Sequence, residues 1–315
     1  MTLAINREKS ADEWRDDIDR SVTEYNDWYM REAPIMWVEA RHRAVAEAAG
    51  AMEALDDFRD LSVETLTTNP RVLLIIRMAF SPRMARDRFV KFVGVKKSLV
   101  ESMELRGTLP KRVKEVETSL QRICDFAAPL CDPELFPWLA DDREPTMDER
   151  KDALLVLGDR RAGAAYDAKL RNAQEARQKA LMGGWLESHG LTRTKLPAFE
   201  MSPGTFRFGQ DVPIPLGGDP ARKLPVDCVV APAKRGMPLA CVEMKSAGDF
   251  TNVNKRRKEE AEKHDALAGA YGENVVFLLQ LFGYFDFNYL NFEARAGIDW
   301  AWDHRLADLA PYFGI

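Results

Sequence analysis

Two short apolar runs separated by a turn constrain the fold more than any other stretch of this chain. Cys228, Val229, Val230 and Ala231 form one β-prone run and Leu239 to Met244 another, while Lys234-Arg235-Gly236-Met237-Pro238 between them has the composition of a turn. An antiparallel pair of strands is expected. Side chains alternate along a strand, so Ala240, Val242 and Met244 share the face turned into a core. Glu243 and Lys245 share the opposite face with Cys241. Asp227, at the head of the first run, joins that second face only if the register sets it opposite an odd-numbered residue, because a one-residue slip reverses every side chain. An odd-length loop around Gly236 gives that register.

An aspartate on one strand with Glu-x-Lys on the next suits phosphodiester hydrolysis. Two carboxylates, Asp227 and Glu243, can bind a hard, oxygen-seeking cation such as Mg2+ and leave positions for water and a phosphate oxygen. Lys245, one pleat beyond Glu243, can orient the attacking water and stabilise negative charge as it develops. Glu149-Arg150-Lys151 and Asp167-Ala168-Lys169 match the acid-x-Lys spacing too, but they fall in polar, helical stretches, where i and i+2 do not face each other. The competing reading of the 227/243/245 set is a buried structural ion pair, which is costly in an apolar sheet.

At 315 residues and 46% hydrophobic, the chain can bury one large core or two modest ones. No apolar run reaches the ~18 residues of a membrane span, and Met1-Thr2-Leu3-Ala4-Ile5-Asn6 has no signal-peptide core, so a cytoplasmic address is expected. The cysteines, Cys124, Cys131, Cys228 and Cys241, form no CxxC pair; free buried thiols are expected, not zinc ligands or disulfides. His42, His189, His264 and His304 lie far apart, which disfavours histidine-based nuclease or zinc chemistry. The net charge of −5 averages over faces and says little about local patches.

The first sixty residues are acidic, with Trp14, Ile18, Val22 and Tyr25 at helical spacing. Residues 71 to 114 turn basic, which suits a DNA-facing surface. Within them, Arg83 to Val93, Gly94-Val95 and Lys96 to Leu105 fit a helix-turn-helix mask with apolar Phe89, Val93, Val95 and Val100. In that reading Lys96, Lys97, Ser98 and Glu101 approach the major groove; a plain helical hairpin fits equally. The proline-rich, acidic stretch Pro129 to Pro145 reads as a connection between lobes. The expected organisation is a helical lobe over 1–130, a connector over 131–150 and a catalytic domain over 151–315.

The catalytic part reads as a long helix from Asp152 to Ser188, stopped by Gly190, then a short strand from Thr192 to Phe199 and the hairpin. Arg171, Glu175 and Gln178 line one face of the helix. Glu175 is either a further catalytic carboxylate or an exposed residue paired with Arg171. Beyond the hairpin, Ser246 to Asn254 leads into Lys255-Arg256-Arg257-Lys258, the first turn of a helix that Asn252 or Asn254 can cap. Four cations there oppose the helix dipole unless something anionic, such as a DNA phosphate, sits beside them. The helix runs to Tyr271-Gly272, and Val275 to Phe282 reads as a central strand. The tail over 297–305, aromatic and polar together, is assigned to packing, to ordering the site from behind, or to a subunit contact. The fold class is α/β: a restriction-endonuclease-like core, with a central mixed sheet flanked by helices, and a mostly helical N-terminal lobe.

Several stretches together resemble the XamI-type type II restriction endonucleases of the PD-(D/E)xK superfamily. They are Asn69-Pro70 with Ala85 to Phe89, Arg171 to Gln178, Asp227, Glu243 to Asn252, Asn254 to Glu260, and Ile298-Asp299-Trp300 with His304-Arg305. The resemblance implies a Mg2+-dependent enzyme cutting both strands of double-stranded DNA at a short palindrome; the family's namesake is associated with GTCGAC. It maps Asp227, Glu243 and Lys245 onto catalytic positions, although Val226 stands where the motif has proline and Pro225 lies one position earlier. Symmetric cutting implies a homodimer, and a restriction function implies a cognate DNA methyltransferase. Candidate DNA contacts are Asn252, Asn254, Lys255, Arg256 and Arg257 near the site, and Lys97 and Ser98 in the other lobe. A structure-specific repair or recombination nuclease on the same core, and a non-catalytic helix-turn-helix regulator, are the rival readings.

Overall fold

In chain order the elements are α1 (Ala11–Ala54), α2 (Val63–Thr68), α3 (Leu73–Ile76), α4 (Arg86–Val93), α5 (Lys97–Glu101), α6 (Val116–Ala127), α7 (Met147–Ser188), β1 (Thr192–Arg193), β2 (Thr205–Pro213), β3 (Lys223–Ala231), β4 (Leu239–Ala247), α8 (Val253–Tyr271), β5 (Val275–Gly283), α9 (Phe287–Arg295), β6 (Asp299–Trp302) and α10 (Ala310–Phe313). The structure, a computed structural model, describes residues 3–111, 115–214, 222–251 and 253–315, with the backbone alone over 253–256. These elements form two compact units. One joins the chain up to Ala33 with Arg171–Ile315; the other is Pro34–Leu170.

The unit boundaries differ from the connector expected at 131–150, because both fall inside long helices. Phe136 and Trp138, within the supposed connector, are buried in the core of the 34–170 unit, and the Trp138 indole donates to the Asp57 carbonyl at 2.9 Å. Proline-rich composition there marks tight turns around buried aromatics instead of a spacer. The core of this helical unit gathers Met52, Phe58, Leu73, Phe80, Phe89 and Ile123.

Phe89, Val93, Val95 and Val100 are buried as the helical-pair pattern requires, and Gly94 takes the left-handed conformation (φ 69°) at the turn between α4 and α5. The chain then widens into a π-helical turn over Ser102–Arg106. Its Glu104 is fully buried and accepts from Arg77 and, at 2.6 Å, from Arg86. A buried carboxylate must be paired, so part of the basic stretch is turned inward. Arg71 pairs with Glu47 at 3.2 Å and Lys97 with Asp87 at 2.9 Å, while Ser98 is exposed. Arg112 and Lys114 lie outside the described residues.

In the other unit the described strands form a mixed sheet in sequential order, β1 to β6. β2–β3 and β3–β4 are antiparallel; β1–β2, β4–β5 and β5–β6 are parallel. Alternation divides the sheet as expected. Ala240, Val242 and Met244 pack with Met182 and Leu186 of α7 and with Phe313, whereas Val229, Cys241, Leu279 and Trp300 pack with Leu267 of α8 and Leu290 of α9. The strand expected over Thr192–Phe199 is reduced to Thr192–Arg193, and Ala198–Glu200 forms a 3-10 turn after Pro197. β2, β6 and α9 were not expected. All four cysteines are free, and three are buried. No helix among the described residues is long and apolar enough to cross a membrane.

Candidate active site

The β3–β4 register is Cys228↔Val242, Val229↔Cys241 and Val230↔Ala240. Carried one step on, it sets Asp227 opposite Glu243, an odd-numbered partner, across an odd-length connection from Pro232 to Pro238. The ladder stops there. On the other side, the β2–β3 pairs Phe208↔Cys228 and Gln210↔Val226 flank Asp227 without including it, and Gly209 opposite has φ 62°. A glycine in this conformation inside a strand marks a local break, so Asp227 sits where both ladders open. Its Oδ2 accepts from the freed Met244 N–H at 2.9 Å.

Glu243, 2% exposed, is held between two ammonium groups: Lys245 Nζ lies 3.0 Å from Oε2 and Lys263 Nζ 2.8 Å from Oε1. Behind them, Glu260 of α8 is fully buried, with Oε1 at 3.9 Å from Lys245 Nζ and Oε2 accepting from the Tyr289 hydroxyl at 2.7 Å. Glu293, also fully buried, accepts no hydrogen bond from the described residues. Its carboxyl is pushed up to about 8 by burial and then by Glu260.

Burial, followed by the charge of Glu243, raises the pKa of Asp227, and the Met244 N–H only partly counters them. Burial opposes the charge on Lys245, but Glu243 and Glu260 outweigh it and hold the amine above its ordinary value. Lys245 is therefore an ammonium at neutral pH. A cleft of about 260 Å³ opens onto Asp227 and Lys245 and is walled by Arg171, Gln174, Glu175 and Gln178 of α7. Gln178 is buried, and its Nε2 reaches the Lys245 carbonyl at 3.2 Å. Asp303 steadies this wall: it accepts from Gln280 at 2.7 Å and from Arg177.

Among the described residues no group of three or more His, Cys, Asp or Glu is placed to hold a metal ion. The candidate set is two carboxylates, which suffices for Mg2+, a cation that keeps several waters. Asp227 and Glu243 repel each other in a buried setting, and that unfavourable pairing fits a divalent cation between them. Such a cation would share Glu243 with Lys245 and Lys263.

The family model described as XamI restriction endonuclease matches residues 56–302. The chain belongs to the XamI restriction endonuclease family. It is accordingly a site-specific endodeoxyribonuclease acting on double-stranded DNA. Over 314 residues, 97% of this chain and 98% of the other, it is 39% identical to the type II restriction enzyme SalI of Streptomyces albus G. No solved structure matches.

On this XamI-family chain the other candidate residues are placed unevenly. Glu175 is exposed on the cleft wall and pairs with Lys179, one turn on, instead of Arg171. Arg257 stands in the first turns of α8 with its guanidinium over the Phe292 ring at 5.3 Å. Asn252 lies outside the described residues, as do the side chains of Asn254, Lys255 and Arg256. Lys97 and Ser98 belong to the helical unit. Sequence reasoning missed Glu260, Lys263, Tyr289 and Glu293. The one signal for them was the i, i+3 spacing of Glu260 and Lys263, obscured by the nearly uniform polarity around them.

Proposed function

We propose that this chain is a type II restriction endonuclease that cuts both strands of a short palindromic DNA site by Mg2+-dependent phosphodiester hydrolysis. GTCGAC, associated with the family's namesake, is the first site to test. The observation that carries the reading is the register that aligns Asp227 with Glu243 at the opening of two ladders, with Lys245 on the same face. The order α7, β2, β3, β4, α8, β5 supports a restriction-endonuclease-like core.

Asp227 and Glu243 would hold the cation. When bound, Mg2+ neutralises charge at the phosphate and acidifies a coordinated water. Lys245 would serve as a donor that orients the attacking water and stabilises negative charge developing on the phosphate. Gln178 fixes the main chain at Lys245 from the opposite side of the sheet. Glu175, which lines the cleft, would add a further carboxylate or a water-bridged contact. Arg257, in the first turns of α8, would lie toward the phosphate backbone. Two equivalent cuts imply a homodimer, and the host DNA requires a methyltransferase of the same specificity.

Digestion of one long DNA with Mg2+ tests the reading. Discrete, reproducible fragments whose ends share one sequence are expected. Nicking confined to mismatches, junctions or ends would assign a structure-specific nuclease, and specific binding without cutting would assign a regulator.

A further inference from the structure

The outer face of α9 has no part in the hydrolytic cluster, yet it rises from the same edge of the sheet. β4 and β5 run parallel, with Lys245 paired to Leu281 and Ala247 to Gly283. The segments leaving both strands therefore emerge at the catalytic edge, one leading to α8 and the other to α9. α9 is two-sided. Tyr289, Leu290 and Glu293 are buried, while Asn288, Asn291, Phe292 and Arg295 follow the i, i+3, i+4, i+7 spacing of a single outward face.

With Phe250 and Arg257, those four residues line a cleft of about 500 Å³. Its chemistry is specific. Arg257 and Arg295 are cationic, and the acid at the rim, Asp286, is occupied as the cap of α9, accepting from the Tyr289 N–H at 2.8 Å. Arginine pairs bidentately with guanine and asparagine with adenine in the major groove, which is wide enough for a helix. A two-arginine, two-asparagine face fits duplex DNA in both charge and hydrogen-bonding capacity.

We propose that α9 is a base-reading helix, with Asn288, Asn291 and Arg295 contacting base edges and Arg257 bracing the helix through Phe292. This rests on the endonuclease reading above. The buried side of the same helix carries Tyr289, which holds Glu260 beside Lys245, so the reading face and the lysine share one support.

The test compares binding of the full-length protein, with Ca2+ replacing Mg2+, to a duplex carrying the sequence the wild type cuts and to an equally long duplex lacking it. Asn291→Ala and Arg295→Ala should each weaken specific binding on the order of ten- to a hundredfold, with non-specific binding changed by no more than about threefold and melting unaltered. Where an alanine variant folds poorly, Asn291→Leu, which has no hydrogen-bonding group, and Arg295→Gln carry the same comparison. Equal loss on both duplexes would show phosphate contact alone and overturn base reading. Unchanged discrimination overturns it too, including when the oligomeric state changes and α9 proves to be a subunit contact. A wild type that yields no discrete fragments sinks the endonuclease reading first, a result separate from any variant.

Discussion

The backbone N–H of Met244 donates to Asp227 Oδ2 at 2.9 Å, across a gap that the β3–β4 ladder no longer closes. Asp227→Asn keeps an acceptor for that donor but removes the charge that would hold a cation. Several kcal/mol of transition-state stabilisation are at stake, about a thousandfold or more in rate. Cleavage in Mg2+ should fall by that factor, with specific binding in Ca2+ and melting temperature retained. Asp227→Ala should also leave Met244 unpaired and lose about 1–3 kcal/mol of stability. Cutting at the wild-type rate by Asp227→Asn would falsify the assignment.

Lys245 has a structural share that the chemistry alone does not reveal. Lys245→Met removes the ammonium that lies 3.0 Å from Glu243 Oε2 and 3.9 Å from Glu260 Oε1. Removing one partner from a buried ion pair typically costs about 3–5 kcal/mol, so a clear drop in melting temperature is expected alongside lost cleavage. Adding Glu243→Gln should recover part of that stability, because one buried negative charge beside the lost ammonium is gone. Equal melting of wild type and Lys245→Met would show that these pairs contribute nothing to folding.

The hairpin was legible because strand parity needs only apolar alternation and one turn. Asp227, Glu243 and Lys245 followed from it, and a register resting on the odd-length connection through Gly236 sets the two acids opposite each other. β2 was not legible: Arg207, Gln210 and Asp211 are polar, and Gly209 interrupts the run at the position opposite Asp227. β6 is short, with Asp299 buried as an anchor that accepts from the backbone of Ile5, Asn6 and Arg7. No local pattern announces a partner nearly three hundred residues away. The same holds for Glu260 and Glu293, whose roles depend on α8 and α9 packing on one sheet face. The basic stretch before residue 114 was legible only in part for a related reason, since composition does not reveal that Arg77 and Arg86 turn toward a buried Glu104.

Glu293 gives the fold a pH dependence of known sign. Its folded pKa, pushed up to about 8 by burial and Glu260, exceeds the ordinary 4.5. An acid raised in this way contributes stability that is complete below the unfolded value and lost as pH rises through the folded one. Glu293→Gln cannot ionise. Its melting temperature relative to wild type should therefore climb between pH 5 and about 9, by several degrees in all. A difference that stays flat across that range would mean that Glu293 does not titrate there.

Glu175 separates the two uses of an acid on the cleft wall. It is exposed and, among the described residues, paired with Lys179 on its own helix, a contact worth about 0.3–0.5 kcal/mol, so Glu175→Ala should melt within about a degree or two of wild type. Because it faces the cleft shared by Asp227 and Lys245, cleavage should nevertheless slow by about ten- to a hundredfold, with specific binding in Ca2+ unaffected. Glu175→Gln distinguishes how it acts. A glutamine that restores most of the rate indicates a hydrogen bond to an ordered water, whereas one as slow as alanine indicates that the negative charge is what counts. An alanine variant as fast as wild type would return Glu175 to the solvated surface and leave the proposed metal site to Asp227 and Glu243.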